Sequence, residues 1–247
     1  MHSRSDPIVV SIKVFVALAF FYFAYRISRK SKTTLNRCFV SSFMAWGMYN
    51  ILDTIVFVVA PINGTWFIIA NVLWRLQLLM IFTYAYFFYN TASIVSKSGY
   101  QMFERSRFFP QVGLLVAIYI VIAIYSGVSI ESVSGILIPK DQLPPSGEFR
   151  VNEGFDLHSI LFAVPLGYFI IATFRLGQLV RKLEGEMKSR VIANLVGNLM
   201  IPVGLLYFLA RSFLFEPVLI TSIIGQLIFF ISPFLIYYSQ RPRTTDD

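Results

Sequence analysis

The sequence is poor in charge, cysteine and histidine for a chain of its length. Only 14% of its 247 residues are charged, whereas soluble domains average about 25%. Its one cysteine, Cys38, excludes an internal disulfide and a cysteine-rich metal site. Its two histidines, His2 and His158, are too few for a three-histidine zinc site. We therefore expect neither a metal nor a cofactor.

Apolar residues are what the sequence has in excess. They make up 56% of the chain, and the mean hydropathy is +0.67. That share is too large to be hidden in the core of one water-facing globule. The composition predicts an integral membrane protein in contact with the lipid bilayer. The net charge of +8 does not indicate a nucleic-acid partner, because basic loops usually mark the cytoplasmic side of a membrane protein.

Seven stretches are long enough to cross a bilayer as helices, since about 20 apolar residues span ~30 Å of hydrocarbon. We predict a single all-α domain over residues 1–247, a seven-transmembrane bundle with spans at about 8–27, 38–60, 66–90, 109–130, 157–179, 190–210 and 213–238. Only Arg211 and Ser212 separate the last two spans, which predicts a tight turn there. The first stretch is not a signal peptide, because its apolar run is too long and Lys13 interrupts it.

The basic residues predict how the spans are oriented. The loops after spans one, three and five and the C-terminal tail hold most of them: Arg26, Arg29, Lys30, Lys32, Arg37, Lys97, Arg105, Arg107, Arg175, Arg181, Lys182, Lys188, Arg190, Arg241 and Arg243. The N-terminal segment and the connections on the opposite side hold only Arg4, Lys140, Arg150 and Arg211. Since cytoplasmic loops are enriched in Lys and Arg, we expect the N-terminus outside the cell membrane and the C-terminus in the cytoplasm.

The connection between spans four and five, at 131–156, is the one long loop predicted on the outer side. Its segment "SGILIPKDQLPPSGEFRVNEGF" has two short runs around a Pro-Pro-Ser-Gly turn, which is typical of a small hairpin. Long loops are disproportionately functional. The loop is therefore either a lid over an outer pocket or a plain connector.

Polar side chains in the outer halves of the spans form a candidate site. Arg75 lies about nine residues below Trp66 in span three, roughly 13 Å deep at 1.5 Å per residue. Asp53 reaches roughly 10 Å in span two, and a short turn joins these antiparallel spans, so the two charges can meet. The candidate cluster comprises Lys13, Asp53, Asn71, Arg75, Gln77, His158 and Glu216. It is either a structural ion pair that fixes helix register or the floor of an outward-facing ligand site.

Several functional classes lack their characteristic residues. A retinal pigment needs a lysine in the seventh span for its Schiff base, and 213–238 contains none. The sequence also has no phosphate-binding Walker loop, no serine nucleophile elbow and no paired metal ligands. We therefore expect a protein that is not an enzyme.

Four stretches carry a resemblance to a known family. Span two reads "MAWGMYNILDTIVFVVAP", and span three, "FIIANVLWRLQLLMIFTYAYFFYN", has Arg75-x-Gln77. Span five follows as "GFDLHSILFAVPLGYFIIATFRLGQLVRK", and span six, "SRVIANLVGNLMIPVGLLYFL", has Asn198 before a proline. Over about 200 residues the chain resembles the N-terminal seven-transmembrane sensor region of prokaryotic histidine kinases.

The resemblance implies a membrane sensor that binds a ligand from the outer side. In such kinases a phosphoacceptor helix and an ATP-binding domain follow span seven, whereas here only "SQRPRTTDD" follows. The expectation is therefore a free-standing signalling module that acts on a separate partner protein.

Two other functions stay open from the residues alone. A small transporter needs a polar path through both leaflets, and the inner halves of these spans are nearly all aliphatic and aromatic. In a non-catalytic accessory subunit of a membrane complex, the buried charges would only lock helices together. Polar groups in the outer half beneath a lidded opening favour the sensor.

Overall fold

The chain is all-helical in the part that a computed structural model describes, which is residues 7–30, 33–59, 65–96, 113–114, 116–117, 157–214 and 219–240. The helices are α1 (Pro7–Ser28), α2 (Thr34–Val59), α3 (Thr65–Ser96), α4 (Leu157–Val180), α5 (Gly185–Leu214) and α6 (Leu219–Ser239). The all-α class predicted from the sequence is confirmed.

Four of the described helical stretches are long and apolar enough to cross a membrane. They are Pro7–Ser28, Leu76–Ser96, Gly185–Phe208 and Leu219–Ser239. Their length and composition indicate a membrane protein. In α4, the described apolar stretch is Val164–Val180. The predicted fourth span, 109–130, lies outside the described residues except for four helical positions, and so does the predicted lid, 131–156.

The tight turn predicted at Arg211 and Ser212 is wrong. α5 continues through both residues and ends at Leu214. Arginine is a good helix former and serine is tolerated in a helix, so neither residue stops the helix by itself. The sequence offers a stronger stop signal at Pro217, because proline disfavours a helical conformation in the residue before it.

The six helices form a ring in which each packs against its neighbours in the chain and α6 packs against α1. In two of these pairs the helices run parallel. Between α1 and α6, Phe15 lies beside Phe230 and Phe23 beside Tyr237. Between α3 and α4, ring contacts and hydrogen bonds likewise advance together along both helices, from Tyr84–Phe169 to Ser93–Arg175.

The ring has two chemically different ends. The end where α1, α3, α4 and α6 begin is called here the Lys13 end. At the opposite end, called the basic end, the described residues include many cations: Arg26, Arg29, Lys30, Arg37, Arg175, Arg181, Lys182, Lys188 and Arg190. The described carboxylates at that end are only Glu184 and Glu186.

Aromatic side chains fill the middle of the ring. Trp46, Tyr84, Phe20, Phe43 and Phe88 are all almost completely buried. Large apolar side chains also cover the outside of the ring, as expected for helices that face lipid. At least half of the surface is exposed for each of Phe15, Leu18, Tyr22, Leu166, Ile170, Phe174, Leu206 and Ile220. The burial pattern therefore fits a bundle with apolar surroundings.

Glycines let α5 and α6 approach closely. The Phe229 ring of α6 lies where a Cβ at Gly204 would be, and the Phe208 ring of α5 lies where a Cβ at Gly225 would be. A third glycine, Gly197, faces Ile236 of α6 with only 2.7 Å between that side chain and a hypothetical Cβ. These contacts fix the rotation of the two helices about their axes, which decides which of their polar residues point inward.

Candidate functional site

A buried ion pair joins α1 and α2 near the Lys13 end. Lys13 Nζ lies 2.5 Å from Asp53 Oδ2, with side-chain exposures of 2% and 13%. Gln77 on α3 donates from Nε2 to the other carboxylate oxygen of Asp53, at 2.8 Å. Three helices therefore converge on one carboxylate. Charges inside membrane helices are costly and are usually paired or functional.

The sequence places these three residues on inward faces. On α1, Val9, Lys13, Val16 and Phe20 are all buried and follow one helical face. On α2, Asp53 lies seven residues after buried Trp46 on the same face. Because α1 and α2 are antiparallel, a lysine near the start of one meets an aspartate near the end of the other.

Two glutamine side chains have unused hydrogen-bonding capacity. Within the described part of the chain, Oε1 of Gln77 and Oε1 of Gln226 are buried and have no hydrogen-bond partner. Gln226 lies one turn from Phe229, on the side toward the Lys13 end. Since buried polar atoms are normally paired, these two amide oxygens are candidates for contact with a ligand or with water.

An aromatic layer closes the bundle below the ion pair. Trp46 stacks on Tyr49, with ring centroids 4.4 Å apart, and contacts Tyr84 and Phe229 at 5.5 and 5.3 Å. Trp46 is seven residues from Asp53, which corresponds to about 10 Å along the helix. The layer therefore separates the ion pair from the rest of the interior.

A second polar network lies at and beyond this layer. Tyr84 on α3 donates to Asn198 Oδ1 on α5 at 2.5 Å, and Asn198 Nδ2 donates to Asn194 at 2.8 Å. Asn194 Nδ2 in turn reaches the Ser239 hydroxyl of α6 at 3.4 Å. This chain of side chains links α3, α5 and α6 and ends close to the basic end.

The sequence alone did not identify most of this second network. Asn198 stood out only through the resemblance to kinase sensor regions, and neither Tyr84 nor Asn194 was predicted to be a site residue. A usable signal was present, because Asn194 and Asn198 are four residues apart and so share one face of a helix otherwise lined with apolar residues.

The predicted cluster is brought together in part. Lys13, Asp53 and Gln77 are in contact. The side chains of Asn71, Arg75 and His158 and the whole of Glu216 lie outside what the structure describes, although Asn71, Arg75 and His158 belong to helices α3 and α4. The predicted Asp53–Arg75 pair therefore stays a prediction, and the partners that the structure gives Asp53 are Lys13 and Gln77.

The site offers charge and hydrogen bonds rather than covalent chemistry. Among the described residues no group of three or more His, Cys, Asp or Glu side chains is arranged to hold a metal ion. The Lys13 end presents an ion pair, the carboxamide of Gln77 with its oxygen unpaired, and the unpaired amide oxygen of Gln226. These groups suit recognition of a polar group.

Comparison with known proteins identifies no family for the chain. No protein-family model, no curated protein and no solved structure matches it significantly. The resemblance to the sensor regions of histidine kinases therefore stays a hypothesis.

Proposed function

We propose that this protein is a seven-helix sensor of the cell membrane, which binds a ligand at the Lys13 end and acts on a separate signalling protein at the basic end. The observation that carries the proposal is the buried Lys13–Asp53 pair with Gln77 beside it. Ionisable residues are rare inside membrane helices, and they are associated with ligand sites and ion pathways.

The geometry of the ion pair supports ligand binding. A purely structural pair gains most when all its hydrogen-bonding neighbours are satisfied. Here Oε1 of Gln77, the residue that donates to Asp53, is buried and has no hydrogen-bond partner in the described part of the chain. A ligand with a hydroxyl or ammonium group would donate to that oxygen, and its acidic or basic group would compete for the ion pair.

The direction of the helices supports a seventh span and the predicted orientation. α3 ends at the basic end, whereas α4, packed parallel to it, begins at the Lys13 end. The chain thus leaves α3 and enters α4 at opposite ends of the bundle, which favours the span predicted at 109–130. The cations at the basic end favour a cytoplasmic location for that end.

The second polar network supplies a physical link between the two ends. Trp46 contacts Tyr84, and Tyr84 is hydrogen-bonded to Asn198. A shift of α2 on ligand binding would change the Trp46–Tyr84 contact, and the hydrogen bonds to Asn198 and Asn194 would transmit that change to α5 and α6. The signalling partner would then read the altered positions of these helices at the basic end.

Thermal unfolding of the purified protein with small polar compounds tests the proposal. Amino acids, amines, carboxylic acids and sugars are added one at a time to the wild type and to the double variant Lys13→Met, Asp53→Asn. We expect one class to raise the unfolding midpoint of the wild type and not that of the double variant. The matched control is Glu186→Gln with Arg190→Met, which removes an ion pair at the basic end whose Glu186 side chain is half exposed, and it should keep the response. A compound that stabilises the wild type and the Lys13/Asp53 double variant equally would assign the ion pair a structural role.

A small transporter is the second candidate, and one observation favours it. Buried polar residues continue past the aromatic layer, as Tyr84, Asn198 and Asn194, rather than stopping in the outer half. Uptake into proteoliposomes of the compound found by thermal unfolding separates the two functions. Accumulation that depends on the protein would indicate transport, whereas binding without flux would agree with a sensor.

A further inference from the structure

Arg175 lies at the basic end in the groove between α3 and α4. It is partly buried, its guanidinium donates to the Ser93 hydroxyl, and its Cζ lies 4.8 Å from the centroid of the Tyr89 ring. Both partners are neutral. Among the described residues no carboxylate pairs with Arg175: Glu186 pairs with Arg190, Asp53 lies at the Lys13 end, and Glu184 forms no ion pair with Arg175.

The Arg175 guanidinium therefore has N–H donors that its contacts in the bundle do not use. A guanidinium carries five N–H donors in a planar fork, and the Ser93 contact uses one nitrogen. Ser93 and Tyr89 fix the position of the group, so little side-chain freedom is left to lose when an anion binds. A fixed, partly buried cation with neutral neighbours is the arrangement that favours an anionic ligand.

Exposed apolar side chains of α4 adjoin Arg175 on the outer side of the groove. Ile171 and Phe174 are 45% and 64% exposed. Ile171 lies one turn before Arg175 on the same side of the helix, and Phe174 directly precedes Arg175. A lipid acyl chain can lie along these two side chains while its head reaches the arginine.

The depth of Arg175 suits a lipid headgroup. α4 ends at Val180, so Arg175 is about 7 Å from the end of the helix. Long basic side chains at this level of a membrane helix extend toward the interface, where the lipid phosphates lie. Exposed Lys182 lies in the turn that follows α4 and adds a second positive charge at this end of the bundle.

We propose that this groove binds an anionic phospholipid, with its phosphate on Arg175 and an acyl chain along Ile171 and Phe174. Arginine recognises phosphate through paired, charge-assisted hydrogen bonds. A free phosphate would use the same fork, but it would make no use of the two apolar side chains. The inference does not depend on the proposed sensing function, because the site lies at the opposite end of the bundle from Lys13.

Native mass spectrometry of the full chain in detergent tests the inference. Phosphatidylglycerol is titrated against phosphatidylcholine and against inorganic phosphate, for the wild type, Arg175→Gln and Arg181→Gln. Arg181 is an exposed arginine at the same end and controls for general surface charge. We expect the wild type to prefer phosphatidylglycerol and Arg175→Gln to bind it about five- to tenfold more weakly. The loss in Arg181→Gln should be clearly smaller.

Three results would overturn the inference. Equal losses in Arg175→Gln and Arg181→Gln would indicate only a diffuse attraction to the basic end. Equal binding of phosphatidylcholine would remove the role of net lipid charge. Displacement of the lipid by inorganic phosphate at the same concentration would indicate a free-anion site. If Arg175→Gln fails to accumulate, Arg175→Lys retains the charge without the planar fork, and an unchanged lipid affinity in that variant would contradict recognition by the fork.

Discussion

Replacing Asp53 by asparagine removes one charge of the buried pair and keeps an oxygen that can accept from Gln77. Lys13 would then be a charge with 2% side-chain exposure and without its carboxylate. Removing one partner of a buried ion pair costs about 3–5 kcal/mol, and a lone charge at the centre of a membrane helix costs about 2.5–3.5 kcal/mol. We expect Asp53→Asn to lower the free energy of unfolding by about 3 kcal/mol. Lys13→Met, which removes the other charge with a side chain of similar length, should have a similar effect.

The double variant is the decisive measurement, because it removes both charges and so leaves no unpaired charge behind. Replacing a buried ion pair by neutral groups of similar size is often close to neutral. We expect Lys13→Met with Asp53→Asn to lie within about 1–2 kcal/mol of the wild type, so that the coupling between the two residues is at least about 2 kcal/mol.

Unfolding in mixed detergent micelles, followed by circular dichroism as the denaturing detergent is increased, measures these free energies. The Glu186–Arg190 pair is the matched control, since it has the same 2.5 Å separation but Glu186 is 50% exposed. Pairs of this kind along one helix contribute about 0.3–0.5 kcal/mol. Additive losses for Lys13 and Asp53, or a coupling no larger than that of the control, would refute the energetic role assigned to burial.

Three further predictions concern packing and topology. Gly204→Leu should destabilise the protein by about 1–3 kcal/mol, because the new leucine side chain would overlap the Phe229 ring. Gly177→Ala should have no such cost, because no atom lies within 4 Å of a Cβ at that position, and denaturation midpoints compare the two variants. Tyr84→Phe should cost about 1–3 kcal/mol by leaving a buried amide oxygen on α5 unpaired, while Tyr22→Phe, at a residue 55% exposed, should change stability by less than about 0.5 kcal/mol. A phosphatase fused to the C-terminus should be inactive in cells and a fluorescent reporter at the same position active, and the reverse result would contradict the proposed orientation.

Part of the candidate site could be predicted from the depth of its residues in the membrane spans. Asp53 and Arg75 were predicted to lie at one level, with Lys13 and Gln77 in the same cluster, because the rise per residue of a helix converts sequence position directly into depth. Depth does not specify which residues touch. The expected partner of Asp53 was Arg75 on the adjoining helix, while the contacts seen in the structure come from Lys13 and Gln77.

The ends of helices were harder to predict from the sequence than their positions. The chain was expected to turn at Arg211 and Ser212 because they interrupt an apolar run, yet α5 continues to Leu214. Polarity marks where a helix leaves the hydrocarbon, whereas backbone geometry decides where it stops. The two need not coincide when the polar residues are themselves compatible with a helix.

The sequence by itself determined that the chain is helical, apolar and basic at alternate connections, since all three properties are read from neighbouring residues. Only the tertiary structure decided that α6 closes the ring on α1, that Trp46 meets Tyr84 and Phe229, and that Tyr84 bonds to Asn198. These contacts depend on the order of helices around the ring and on the rotation of each helix about its axis. Both are set by close packing between distant segments, such as Phe229 against Gly204, and such packing leaves no periodic signal in one helix alone.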